Sequence, residues 1–161
     1  MRAILVAGTA VVAGCGSIGL QADSGGSAGG VPITVTPEDD VDFGEVSAYA
    51  TPNPQTFVVA PLQGSTAVIG DISLSDKTSS AFSLTVGHKM PMHLAEDTTF
   101  EFSLTFSGGG DDSAHPDYTQ GSFSGSLTVS YETDKNGDGG DITRNLKGTL
   151  CQDSGKDGTC D

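Results

Sequence analysis

The sequence predicts an all-β domain, an antiparallel sandwich or barrel of seven to eight short strands. Three observations carry this expectation. Apolar and polar residues alternate with a period of two in several separate stretches. Those stretches are rich in Phe, Val, Ile, Thr and Ser, residues that fit a pleated, half-buried surface. Turn signals containing Gly and Pro fall between them. Outside the N-terminus no segment has a helical apolar period, and helices do not alternate with strands, which argues against an α/β enzyme fold.

The elements follow in order. Residues 33–37 alternate and stop at Pro37, which cannot donate to a central ladder. Val41 to Val46 follows, with Phe43 placed to enter the core and Gly44 permitting a bulge. Residues 56–60 form a third strand, ended by Pro61, residues 66–75 a fourth, and Phe82 to Val86 a fifth. In residues 99–107, Phe100, Phe102, Leu104 and Phe106 share one parity while Glu101, Ser103 and Thr105 share the other, so one face is aromatic and buried. Between Ser122 and Glu132, the residues Phe123, Leu127, Val129 and Tyr131 share a parity. In residues 142–150, Ile142, Leu146 and Leu150 face one way and Thr143, Asn145, Lys147 and Thr149 the other. The stretches Gly108–Gln120 and Asp134–Asp141 read as enlarged loops rather than central strand.

Ahead of this domain lies a different kind of sequence. Met1-Arg2 is followed by a short apolar run that ends in Val12-Ala13-Gly14-Cys15. One basic residue, an apolar stretch and small residues at a cleavage point read as an export signal. The run is too short to span a bilayer, which needs roughly 20 apolar residues. A cysteine directly after the small residues resembles the lipobox of bacterial lipoproteins. That resemblance implies cleavage before Cys15, diacylglycerol on its sulfur, and a protein exported and anchored to a membrane through the lipidated Cys15. Gly16, rather than Asp, at the following position implies the outer membrane of a Gram-negative cell, on its periplasmic face or at the surface. Plain secretion with cleavage nearby is the closest alternative. Residues 15–31 are rich in Gly and Ser and read as a flexible tether with an r.m.s. reach of roughly 20 Å. The expected organisation is a signal peptide over 1–14, the lipidated start and linker over 15–31, a sandwich over 32–150 and an acidic, Cys-containing tail over 151–161.

Composition narrows the partners. The formal net charge of −14 over 161 residues falls to −15 when the signal removes Arg2. A surface this acidic is repelled by nucleic acid and by anionic headgroups, so neither is an expected partner. Divalent cations and basic proteins remain open.

Several stretches also resemble a known family. Ile33-Thr-Val-Thr-Pro37, Asp42-Phe43-Gly44-Glu45-Val46 and Gln55-Thr-Phe-Val-Val59 resemble, in this order, the start of ASH or choice-of-anchor D domains. Ile72-Ser-Leu-Ser75, Phe82-Ser-Leu84, Leu94 to Phe106, Gly125-Ser-Leu-Thr-Val129 and Leu146-Lys-Gly-Thr-Leu150 are similar to its later strands. Ala60-Pro61-Leu62-Gln63-Gly64 departs from the family's usual turn there, and both late loops are enlarged. Over residues 33–150 the resemblance implies an immunoglobulin-like antiparallel β-sandwich used for binding or structural spacing, with no catalytic residues to carry over. The expected role is a non-catalytic envelope protein whose domain engages a protein partner, with no small-molecule substrate.

Side chains that could carry chemistry are few. Asp134, Asn136, Asp138 and Asp141 place oxygens at alternate positions with Gly139 sixth, like the first half of a calcium loop. Asn145 stands where the bidentate Glu belongs, and Asn-Gly and Asp-Gly are also ordinary hairpin dipeptides. Calcium is therefore an alternative, a calcium-dependent adhesion or binding module, and otherwise no cofactor is expected. With Cys15 lipidated, Cys151 and Cys160 most simply pair with each other in an oxidising compartment. Free thiols or a metal pair are the rivals. Hydrolysis is a remote alternative: Gly121-Ser-Phe-Ser-Gly125 has Phe123 where a nucleophile elbow needs its serine. His88, His93 and His115 lie in loop-like sequence, Asp111 and Asp112 read as a solvated pair, and Gly108-Gly109-Gly110 lacks the helix needed to cradle phosphate. Met90-Pro91-Met92 between His88 and His93 has donors suited to copper, although Met more often fills a core gap.

Overall fold

A computed structural model describes residues 31–107, 120–133 and 137–161. Their nine strands are β1 (Ile33–Thr36), β2 (Val41–Ser47), β3 (Gln55–Pro61), β4 (Ala67–Leu74), β5 (Phe82–Thr85), β6 (Met92–Leu94), β7 (Phe100–Phe106), β8 (Gly121–Thr133) and β9 (Gly139–Cys151). One sheet has the order β1-β3-β7-β5 and the other β2-β9-β8-β4-β6. The two inner faces enclose a single core. The fold is an immunoglobulin-like β-sandwich.

The alternation seen in the sequence sets which side chains meet. Phe100, Phe102, Leu104 and Phe106 are all buried on β7. Phe57 on β3 stacks on Phe102 with centroids 4.9 Å apart. At the other end of β7, Phe106 lies 4.9 Å from Phe82, 5.6 Å from Phe43 and 6.2 Å from Phe123. Facing rows come from Leu127 and Val129 on β8 and from Leu146 and Leu150 on β9.

Two strands change phase, and each does so at a glycine. In β2, Asp42 opposes Lys147 but Glu45 opposes Thr149, so one residue is extra. Gly44 sits there at φ +68°, a conformation costly for any residue with a Cβ. Its N–H donates to Asp42 Oδ1 at 2.9 Å. The slip lets Val41 and Val46, of opposite parity, both turn inward. In β4 the register shifts between Ile69 and Asp71, so Ala67, Ile69 and Ile72 all reach the core.

The structure corrects the sequence reading in three places. There is a further strand, β6, whose three residues are too few to show a period; it pairs with Ala67–Ile69 at the edge of the larger sheet. The ladder is not wholly antiparallel, because β2 runs parallel to β9. This follows from the chain crossing between sheets at its start, β1 pairing in one and β2 in the other. Finally, the stretch 134–141 is not all loop. β9 begins at Gly139, and the β8–β9 ladder runs out to Glu132 opposite Gly139. The turn is closed by Thr133 N–H to Asp138 O at 2.8 Å and Gly137 N–H to Thr133 O at 3.1 Å.

Arg144 has the inward parity of β9, between Ile142 and Leu146. Its guanidinium reaches the opposite sheet, donating from Nε to Pro37 O at 3.3 Å and from Nη2 to Val35 O at 3.5 Å. A cation thereby satisfies carbonyls where the chain crosses over. Two exposed contacts hold the start of β2 to β9. Asp40 accepts from the N–H and the side-chain amide of Asn145 at 2.8 and 3.0 Å, and Lys147 Nζ lies 3.0 Å from Asp42 Oδ2.

Candidate functional site

The outer face of the larger sheet is built from the polar parity of β8 and β9. Ser122, Ser124, Ser126, Thr128 and Ser130 on β8 oppose Thr149, Lys147, Asn145, Thr143 and Asp141 on β9. Hydroxyls meet across the ladder: Ser122 with Thr149 at 3.3 Å and Thr128 with Thr143 at 3.4 Å. Ser130 Oγ donates to Asp141 Oδ1 at 2.7 Å. Short side chains that lose little rotamer freedom, each keeping hydrogen-bonding capacity, line the middle of this face. Charges on this face come from Asp141 and Lys147 on β9 and from Asp42 on β2, which pairs with Lys147.

The second polar assembly holds the chain end. Cys151, the last residue of β9, is disulfide-bonded to Cys160, with Cα atoms 5.6 Å apart. Inside the loop they close, the carboxylate of Asp153 is buried. Ser47 Oγ donates to its Oδ2 at 2.6 Å, Gly158 N–H to the same oxygen at 2.8 Å, and Asp157 N–H to Oδ1 at 3.2 Å. These donors, the Ser47 hydroxyl foremost, hold the Asp153 carboxyl below its ordinary value against the opposing effect of desolvation. Tyr49 N–H completes the network by donating to Ser47 Oγ at 3.0 Å. Lys156 Nζ lies over the Tyr49 ring, 5.1 Å from its centroid. Asp161 closes the loop, accepting from Ser154 Oγ at 2.7 Å and donating its N–H to Gln152 O at 2.9 Å. A shallow cleft of about 300 Å³ beside this loop is lined by Tyr49, Gln120, Gln152, Asp153 and Ser154 among others. Ser47 donates to Asp153 directly, with no imidazole between them, so the pair lacks the base that activates a nucleophilic serine.

The residues singled out in the sequence are distributed unevenly. Cys15 lies outside the described residues, as do Asp134, Asn136, Asp111, Asp112 and His115. Of the four calcium-loop oxygens, Asp138 is in the turn and Asp141 is in β9, hydrogen-bonded to Ser130. Cys151 and Cys160 are joined. His88 and His93 line one cleft with Met92, and the His88 ring packs edge-on to Phe100 at 5.3 Å. Among the described residues no group of three or more His, Cys, Asp or Glu is placed to hold a metal ion. Among them, too, no helix is long and apolar enough to cross a membrane. The Ser47–Asp153 clamp was not foreseen. Its partners are 106 residues apart, and in the sequence Asp153 looks like any other acid of the tail.

Comparison with protein-family models finds no match, and comparison with curated proteins finds none either. Solved structures do resemble the chain. The ASH/PapD-like domain 7 of human CEP192 superposes with a TM-score of 0.52 at 10% identity, over 86% of this chain and 98% of that domain. The VesB protease of Vibrio cholerae superposes with a TM-score of 0.50 at 12% identity, over 74% of this chain. This chain spans only 32% of the protease. At these identities the likeness is one of fold.

Proposed function

We propose that this protein is an exported, lipid-anchored and non-catalytic envelope protein, and that its immunoglobulin-like domain is a protein-interaction module. The hydroxyl-lined outer face of β8 and β9 carries this reading. It offers a broad surface of short side chains whose hydrogen bonding can adapt to a protein partner. The buried acid that a catalytic reading would single out, Asp153, is instead saturated by donors that hold the chain end. The anchor rests on Val12-Ala13-Gly14-Cys15, and the Gly/Ser-rich stretch after it would let the domain search its surroundings. Acyl chains on Cys15 would make attachment stable, since each buried CH₂ contributes about 0.8 kcal/mol.

One experiment in the native envelope tests both parts. Crosslinking from a photoreactive residue at position 124 is expected to trap a defined partner band. Thr128→Arg, in the middle of the face, is expected to abolish the band without moving the melting temperature. Cys15→Ser is expected to shift the protein from the membrane to the soluble fraction. A band that survives Thr128→Arg removes the face from the interaction, and a membrane-bound Cys15→Ser protein removes the anchor.

Calcium-dependent binding through Asp134, Asn136, Asp138 and Asp141 is a second reading, favoured by the alternate-oxygen spacing. It predicts calorimetric heat and a raised melting temperature in millimolar Ca²⁺, and the absence of both rules it out.

A further inference from the structure

The two sheets end in four edge strands: β1 and β5 in the smaller, β2 and β6 in the larger. An edge strand presents unpaired backbone groups, and natural proteins blunt such edges against unwanted pairing. Three of these four carry a blunting device. At β1, Arg144 donates to the carbonyl of Val35 and to that of Pro37 just beyond. β2 has the bulge at Gly44 and the exposed acids Asp42 and Glu45. β6 is three residues long and directly follows Pro91.

β5 has none of these devices. Its sequence, Phe82-Ser-Leu-Thr85, holds no charge, proline or glycine, and its register with β7 is unbroken. Ser107 N–H donates to Ala81 O at 3.0 Å, which fixes the alternation. Ala81, Ser83 and Thr85 turn their backbone groups toward β7, while Phe82 and Leu84 turn theirs outward. Phe82 N–H is taken by Ser79 O at 3.1 Å. The Phe82 carbonyl and both backbone groups of Leu84 face a side on which no strand lies among the described residues. Burial also falls along β5. Phe82 is buried, whereas Leu84 and, just beyond, Val86 pack on the core yet stay half exposed. A strand added here would satisfy the open backbone groups and cover apolar surface together.

Charge selects the strand. The chain holds 21 acids, yet residues 77–95 contain Lys77 and Lys89 and no acid at all. The two lysines are exposed and flank β5 along the chain. Neither is in an ion pair among the described residues. The rest of the molecule is acidic, but at physiological salt its field is screened beyond about 8 Å, so the nearest charges decide. A second copy pairing through its own β5 would set lysine-flanked edges against each other, which disfavours self-association.

We propose that the β5 edge accepts an extended strand from another protein, β-forming at its centre and acidic at its flanks, which becomes the fifth strand of the smaller sheet. This edge stands apart from the hydroxyl-lined face of β8 and β9 and does not depend on the role given to that face.

The test uses the full-length, isotope-labelled chain and two synthetic peptides. One is Asp-Asp-Thr-Val-Thr-Val-Thr-Asp-Asp, and the other has Lys in place of every Asp. The acidic peptide is expected to bind about 10-fold more tightly at 0.15 M salt, with the preference narrowing at 1 M. The Leu84 amide should gain hydrogen-exchange protection on binding, while the amides of β1, β2 and β6 do not change. Lys77→Glu/Lys89→Glu alters two exposed residues, so the fold persists, and it is expected to reverse the preference. Leu84→Pro removes the outward N–H without removing a β5–β7 hydrogen bond and is expected to abolish binding of both peptides. If that variant fails to fold, exchange at Leu84 in the unaltered chain decides alone. An unprotected Leu84 amide at saturating acidic peptide overturns the proposal, as does equal affinity for the two peptides. A dimer in sedimentation without peptide, with Leu84 already protected, overturns it in favour of a second copy.

Discussion

Phe106→Ala is expected to cost about 3–5 kcal/mol, a large share of the stability of a domain this size. The ring is buried at the meeting point of Phe43, Phe82 and Phe123, side chains from both sheets. Its position also dictates the residue opposite. A Cβ built on Gly148 would lie 2.5–2.8 Å from three atoms of the Phe106 ring. Elsewhere in a strand, Gly→Ala is favourable by roughly 0.5–1 kcal/mol. At position 148 it should instead destabilise by about 1–3 kcal/mol, because a fully packed ring has nowhere to move. The pair is therefore coupled. With Phe106→Leu in the same chain, the Gly148→Ala penalty should shrink or change sign. Urea denaturation of the four proteins of this cycle measures the coupling, and additivity within ~0.5 kcal/mol would show that ring and glycine are independent.

Removing Asp153 is expected to release the chain end. The carboxylate accepts three hydrogen bonds, two of them on Oδ2. Asp153→Asn cannot reproduce them. In one amide orientation the NH₂ faces the Gly158 N–H, and in the other it faces the Asp157 N–H, so a donor meets a donor either way. Amides 154–161 should lose hydrogen-exchange protection while those of β7 and β8 keep theirs, since the disulfide still closes the loop. The effect has a definite pH dependence. The folded-state pKa of Asp153 lies below its ordinary value, so its contribution is present above the unfolded value of about 3.9 and fades as pH falls through the folded one. Asp40 and Asp42 are lowered too, by hydrogen bonds from Asn145 and from Gly44 with Lys147. Wild type and Asp153→Asn share those two groups. The difference between their stabilities should therefore narrow in acid, and a gap that stays constant from pH 6 down to pH 2 would show that the carboxylate's charge is irrelevant.

Much of this architecture is legible in the chain because one face of each strand is buried and the other wet. The parity of Phe100 to Phe106 and of Leu127 to Tyr131 specifies register directly. Gly44 announces a bulge by interrupting the phase between Val41 and Val46. What stays hidden depends on neighbours distant in sequence. Gly148 shares the inward parity of Leu146 and Leu150, and it reads as a gap in the pattern until Phe106 is seen to fill it. Arg144 contradicts the same pattern, and only the carbonyls of Val35 and Pro37 explain why a cation points inward there. The three residues of β6 are too few for any period. Ser47 and Asp153 meet only because the first strand of the larger sheet lies beside the last. That strand order was equally unreadable, since parallel pairing leaves no turn between its partners.

The same strand order has a mechanical consequence. β2 and β9 lie at opposite ends of the described chain yet run side by side in the same direction. Tension applied between the two termini drags β2 toward its start and β9 toward its end, so the strands are pulled lengthwise past each other. Their backbone hydrogen bonds are then stressed together rather than peeled off one after another, as they would be in a hairpin opened from its mouth. A domain tethered at one end and loaded at the other would yield last along this seam.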